Sequence, residues 1–130
     1  MAQKGLSREV LIDAAVNVIE RDGRNNFSMK LVADELGVKT ASLYNHVKNM
    51  GELLAGVCNY ALRLQRDAEM QAIKDLNRGQ AVYALAEAYR RFAKEHRELY
   101  WLVMNVAASD NHVLDEAAMC VTEPIVKMLA

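Results

Sequence analysis

The sequence predicts an all-α fold on three grounds. Apolar residues recur at i, i+3, i+4 and i+7 along most of the chain, no run alternates with a period of two, and Ser, Asn and Gly signals divide the periodic stretches at helix-like intervals. One Pro and six Gly among 130 residues leave long stretches free of helix breakers. A hydrophobic content of 52% is enough for a packed core.

The first helix is expected from about Arg8 to Arg21, with Leu11, Ala14, Ala15, Val18 and Ile19 on one face. Ser7 is its N-cap, and Leu6 and Leu11 stand at the spacing of a hydrophobic staple. Gly23, backed by Asn25 and Asn26, ends it through a left-handed C-terminal residue. Phe27-Ser28 repeats the start signal for a second helix that turns Leu31, Val32, Ala33 and Leu36 inward and stops at Gly37. A third, Thr40 to Val47, returns Leu43 and Val47 to the same small core.

A long fourth helix follows from Glu52 through Leu53, Leu54, Val57, Ala61, Leu64 and Ala68, and frays near Asn77-Arg78-Gly79. The fifth is expected from Gln80 to Glu95 with Val82, Leu85, Ala86, Tyr89, Phe92 and Ala93 inward, and the sixth from Leu99 to Val106. Ser109-Asp110-Asn111 reads as a loop. A seventh helix starts near Val113, carries Leu114, Ala117, Ala118, Val121, Ile125 and Leu129, and kinks or restarts at Pro124. The pattern divides the chain into residues 1–50, a three-helix domain, and residues 51–130, an incomplete helical bundle. Since the sequence stops at Ala130 inside an apolar helical pattern without a C-cap, a 130-residue product is expected to expose apolar surface and to dimerise poorly.

Bulk charge decides little, with 16 basic groups against 17 acidic ones and a net charge of −1. Placement says more: four of the six acids among the first 50 residues precede Ser28, whereas Lys30, Lys39 and Lys48 punctuate the stretch after it. No signal peptide or membrane-length apolar run occurs, which points to the cytoplasm. Cys58 and Cys120 sit in apolar stretches and read as buried thiols, with no metal-ligand spacing around them and no basic neighbour to activate them. No phosphate-binding Gly loop, nucleophile with a base, or paired carboxylate site is present, so neither an enzyme nor a cofactor is expected. His46 has no acid partner at useful spacing, and His96, in a solvated connection, and His112, at a loop-to-helix transition, do not suggest a metal site.

Within residues 28–47 the spacing of Ala33, Gly37 and Leu43 fits two helices crossing tightly. Ala33 is small where the next helix lies across it, Gly37 frees the turn, and Leu43 fills the wedge between the helices. Lys39, Thr40, Ser42, Asn45 and His46 then remain on the outer side, as short polar groups able to reach base edges. By itself this pattern serves equally for a helical hairpin with a solvated face.

The continuation, Leu43-Tyr44-Asn45-His46-Val47 followed by Lys48-Asn49-Met50-Gly51-Glu52-Leu53-Leu54, resembles the signature of the tetracycline-repressor (TetR) family of bacterial regulators. Ala14-Ala15, the Gly23 stop and the Val32-Ala33…Gly37-Val38 core extend the resemblance over residues 7–54. It implies a helix-turn-helix DNA-binding domain, a helical ligand-binding and dimerisation domain, and repression relieved by a small-molecule effector. It further implies that Thr40, Ser42, Asn45 and Lys39 face bases in the major groove, that Tyr44, His46 and Lys48 contact phosphates, and that Ser28 and Lys30 approach phosphate from the second helix. The implied partner is a palindromic operator in double-stranded DNA, bound by a homodimer whose main interface lies in helices beyond the end of this sequence. Three positions depart from the pattern: Lys39 replaces a capping Ser or Thr, Val47 a Phe, and Met50 a Lys.

Tyr60, Tyr89, Trp101, Met104, Met119 and Cys120 are the candidate ligand-pocket residues, with Tyr83 and Phe92 beside them, although such side chains more often simply fill a core. The competing readings are a ligand-independent DNA-binding protein and a helical scaffold that binds no DNA.

Overall fold

The computed structural model describes residues 5–109, with side chains through Asn105. The expected seventh helix, its Pro124, and His112, Met119 and Cys120 lie outside the described residues. Among the described residues there is no strand; the helices are α1 (Arg8–Asp22), α2 (Met29–Leu36), α3 (Thr40–Leu43), α4 (Met50–Ile73), α5 (Arg78–Glu95) and α6 (Arg97–Ser109).

The chain forms two compact units that divide after Val57, inside α4 and seven residues past the start expected for the second domain. In the first unit, α1 begins where Ser7 Oγ accepts the Val10 amide at 3.2 Å. It ends at Gly23, which donates to the Ile19 carbonyl at 2.9 Å but takes φ 86°, ψ 155°, an extended positive-φ conformation instead of the expected left-handed helical one. A 3-10 turn, Arg24–Asn26, follows, and Asn26 Nδ2 donates to the Asp22 carbonyl at 2.8 Å, satisfying an acceptor that the helix end leaves open.

Ser28 caps α2 in the same way, its Oγ accepting from Leu31 at 3.2 Å. At the far end Gly37 is left-handed (φ 67°, ψ 32°) and donates to Asp34 O at 3.2 Å, while Val38 donates to Ala33 O at 3.0 Å. This pair of bonds is a Schellman closure, which reverses the chain sharply enough to send α3 back across α2. Leu11, Val18, Ile19, Val32 and Leu43 are fully buried, and Val47 nearly so, so α1, α2 and the α3 segment share one core. Burying each such large side chain contributes about 1.5–3 kcal/mol.

The first turns of α4 meet α1 closely. A Cβ on Gly56 would lie 2.7 Å from Ile12 Cδ1 and 2.9 Å from its Cγ1. Arg8 and Glu52 approach to 3.6 Å one turn earlier, a partly exposed pair that adds little strength.

In the second unit α4 ends at Ile73, Asp75 turns the chain at φ 61°, and Asn77 opens α5. The Asn77-Arg78-Gly79 signal therefore starts a helix. Asn77 Oδ1 accepts from Gln80 N at 2.8 Å, and Gln80 Oε1 accepts the Asn77 amide at 3.4 Å, a complete capping box. Ser109 is the last residue of α6 and not part of a loop.

The buried face of α5 is rotated from expectation. Ala81, Ala88 and Phe92 are buried, whereas Val82 (52%), Ala86 and Tyr89 (41%) are exposed. The helix is apolar on two adjacent faces, so its periodicity is compatible with either phase, and the narrower Ala-bearing face is the one that packs. Along α4, Cys58, Ala61, Leu62, Gln65 and Glu69 form the buried stripe. Burial pushes the Cys58 thiol up to about 12. It also holds the Glu69 carboxyl above the ordinary glutamate value of 4.5, while a hydrogen bond from Gln65 Nε2 at 3.0 Å pulls it back.

Two consequences are measurable. Gly37→Ala meets no neighbouring atom within 4 Å, so its cost is purely conformational, about 1–2 kcal/mol. Gly56→Ala overpacks against Ile12, costing about 1–3 kcal/mol. Adding Ile12→Ala to Gly56→Ala is expected to cost less than the sum of the two single losses. Additive denaturant midpoints would show that the Ile12–Gly56 contact does not set the approach.

The second consequence concerns pH. An acid whose pKa is higher folded than unfolded binds its proton more tightly in the fold, so the stabilisation is present at low pH and is lost as pH rises through the folded pKa. Relative to Glu69→Gln, the wild-type chain should lose thermal stability as pH climbs above 4.5, the ordinary glutamate value. The groups identified around this carboxyl are Gln65 on α4 and Tyr89 on α5. Parallel pH profiles for the two proteins would refute the buried carboxyl's role.

Candidate nucleic-acid interface

The segment from Ser28 to Lys48 sorts its side chains by exposure much as its spacing requires. Met29, Val32, Ala33, Leu43 and Val47 are buried, and Lys30, Lys39, Ala41, Tyr44, Asn45 and Lys48 are exposed, with Thr40, Ser42 and His46 between. Val47, standing where the resemblance implies Phe, is 3% exposed and completes the core as a smaller side chain.

The third helix is shorter than expected. Regular α structure stops at Leu43, and Tyr44, Asn45 and His46 continue as tightened turns, donating to Ala41, Ser42 and Leu43 carbonyls at 3.3, 3.4 and 3.0 Å. Asn45 and His46 thus project from a turn. Lys39 occupies the N-cap without any side-chain hydrogen bond to α3, as a residue with no acceptor must. Ser42 N still closes onto Lys39 O at 3.0 Å.

Ser28 spends its oxygen on capping α2, but its hydroxyl proton stays available to an acceptor such as phosphate oxygen. Tyr44, 49% exposed, stands beside Asn45 and Lys48, so an aromatic hydroxyl, an amide and an ammonium group share one stretch of seven residues with Ser42. These are the group types that meet duplex DNA: short polar side chains for base edges, cations and hydroxyls for the backbone.

Sequence reasoning missed three contributors. Ala41 is exposed between Thr40 and Ser42, a small apolar group of the kind that packs on a thymine methyl. Asn49 caps α4, its Oδ1 accepting from Glu52 N at 2.8 Å; Asn49 and Glu52 stand three apart, the spacing of a capping signature. That cap places Met50, 41% exposed, as the first residue of α4, two positions before the expected start. Finally, Arg21 on α1 reaches Glu35 on α2 at 2.8 Å and Asp22 at 3.1 Å. Asp22 and then Glu35 raise the pKa of its guanidinium, and the exposed pair with Glu35 links α1 to α2 while adding little strength.

The candidate ligand residues among the described residues differ in exposure. Tyr60 is half-buried, Trp101 (43%) and Met104 (53%) are exposed, and Tyr89 pairs with Tyr100. Two open grooves of about 450 and 240 Å³ lie along α4 and α5; Tyr83 lines the first and Phe92 the second. Among the described residues no three His, Cys, Asp or Glu side chains gather as a metal site, and no helix is long and apolar enough to cross a membrane.

Residues 11–57 match the family of bacterial regulatory proteins known as the tetR family. Over these residues the chain belongs to that family. It is 36% identical over 98 residues to the transcriptional repressor DrrR1 of Streptomyces coeruleorubidus, covering 75% of this chain and 34% of that protein. It is 27% identical over 96 residues to the uncharacterised transcriptional regulator YobS of Bacillus subtilis, covering 74% of this chain and 50% of YobS. A solved protein of unknown function from Rhodococcus sp. RHA1 superposes with a TM-score of 0.83 at 26% identity, over 96% of this chain and 66% of that one. The chain thus spans half or less of these two curated relatives. The all-helical fold with an N-terminal helix-turn-helix agrees with that membership.

The Asn49 cap is testable apart from any ligand. Asn49→Ala should cost about 1 kcal/mol and Asn49→Asp much less, because Asp preserves the acceptor. Equal midpoints for the two variants in urea would show that the cap carries no energy.

Proposed function

We propose that this chain is a sequence-specific DNA-binding transcriptional regulator, a repressor released from a palindromic operator by a small-molecule ligand, acting as a homodimer in the cytoplasm and without enzymatic activity. The observation that carries this reading is the sorting of residues 39–48. Leu43 and Val47 anchor the segment, and Lys39, Ala41, Tyr44, Asn45 and Lys48 face outward from it. DrrR1's description as a repressor supports the direction of control.

In this reading Thr40, Ser42, Asn45 and Lys39 meet base edges, while Ser28, Lys30, Tyr44, His46 and Lys48 meet the backbone. A two-fold dimer places its two reading segments about 34–36 Å apart, one turn of duplex. Ligand relief draws support from the open grooves of the second unit along α4 and α5, lined by Tyr83 and by Phe92.

Selection of bound duplexes from a random pool, followed by salt titration of the winner, tests the proposal. A palindromic winner is expected. Ser42→Ala and Asn45→Ala should each lose about 1–3 kcal/mol at one or two base positions and relax discrimination there. Lys48→Ala should weaken all sequences alike and reduce the salt slope by about one. Uniform losses from Ser42→Ala and Asn45→Ala would remove both residues from base reading, and failure to enrich any duplex would sink DNA binding itself.

A further inference from the structure

Arg8 opens α1 with half of its side chain exposed, and its guanidinium stands 3.6 Å from the Glu52 carboxylate in the first turn of α4. That separation is too long for a hydrogen bond, so the pair leaves the guanidinium donors to another acceptor. The two partners have separate accounts. An acid in the first turn of a helix is favoured by the positive end of the helix dipole, which explains Glu52 without Arg8. A partly exposed ion pair adds little stability, so the fold alone does not explain Arg8. Glu9, the next residue, is exposed on another side of α1, because neighbours one apart on a helix do not face each other.

The position of Glu52 decides the reading. Its amide donates to Asn49 Oδ1 at 2.8 Å, so the turn that carries this carboxylate starts directly after Lys48. Lys48, Asn49, Met50 and Gly51 are exposed in succession, in the same compact unit as Arg8. A phosphate backbone brought to Lys48 comes close to an acid that repels it. Arg8 stands against that acid and presents a planar fork of donors matched to phosphate oxygens. It also returns a cation to the stretch where Met50 supplies none.

We infer that Arg8 is a further DNA-contacting residue, which neutralises Glu52 and donates to a backbone phosphate beside the start of α4. The inference rests on the proposed DNA binding and extends that interface to α1, outside residues 28–48. Arg8 joins Lys30 and Lys48 as a phosphate-neutralising cation of each copy. Such a contact sets affinity and register and carries no sequence information.

The test titrates the full chain with the duplex selected from the random pool and with a scrambled duplex of equal length, from about 50 to 200 mM salt. Arg8→Gln should weaken both duplexes alike, about tenfold, and reduce the slope of log K against log salt by about 0.9 per copy. Arg8→Lys keeps the charge and should keep the slope. Glu52→Gln removes a repulsion and should tighten binding to both duplexes. A link that only braces α1 against α4 predicts a different pattern: Arg8→Gln and Glu52→Gln each break it, both weaken binding, and the slope stays. That pattern, or a wild-type slope in Arg8→Gln, overturns the contact. Failure of the wild-type chain to enrich any duplex sinks the DNA-binding reading itself and shows before either variant is made.

Discussion

A four-residue helix has no stability of its own, because nucleation fixes several dihedrals for the first hydrogen bond, so α3 is held in place from outside. Leu43 does most of this. It is fully buried with Leu11, Val18, Ile19 and Val32, and every outward side chain from Lys39 to Lys48 takes its direction from that anchor. Gly37 supplies the other half of the constraint, since its left-handed turn fixes where α3 starts. Removing the Leu43 side chain by truncation to Ala would forfeit about 2–5 kcal/mol, a large part of the stability of a domain this size. The turns after Leu43 then need no helical propensity, which is why Tyr44, Asn45 and His46 hold their places on weaker i to i−3 bonds.

What was legible in the sequence follows from the range of each interaction. Ser7, Ser28 and Gly37 act on neighbours within five residues, so their roles could be read from spacing, and each makes its capping bond at 3.2 Å. Asn49 and Asn77 are equally local, yet Asn serves turns and caps alike: Asn77 was assigned to the end of α4 when it begins α5, and Asn49 was given no capping role. Gly56 was invisible for a different reason. Its role is to let α4 approach Ile12, 44 positions away, and no local pattern encodes which side chain will lie opposite. On α5, apolar residues cover two adjacent faces, so the period was right and the phase was not.

The two units also differ in what their interiors hold. The first is uniformly apolar at its centre, as expected where the only demand is a fixed geometry for a short exterior segment. The second buries Gln65 and Glu69 on α4, while the bond from Tyr89 to Tyr100 across α5 and α6 lies at its exposed side. Polar groups in a low-dielectric interior cost several kcal/mol when unsatisfied and strengthen any partner that does satisfy them.

Electrostatics decide how the proposed interface divides its work between affinity and discrimination. With a net charge of −1, the chain has no excess of positive charge to draw it toward DNA, and screening limits each lysine to about 8 Å in physiological salt. Lys30, Lys39 and Lys48 are the cations on the outward side of residues 28–48, and Met50 adds none at the start of α4. With Lys30 and Lys48 proposed for the backbone, two neutralised phosphates per copy and four per dimer correspond, before Arg8 is counted, to a slope in log K against log salt of roughly −3.6, modest for a duplex-binding protein. A weak non-specific term leaves less competition from random sequence, so the base contacts proposed for Thr40, Ser42 and Asn45 would carry a larger share of the binding than on a strongly basic protein. On such a surface even one lost hydrogen bond to a base edge is felt as a loss of the site.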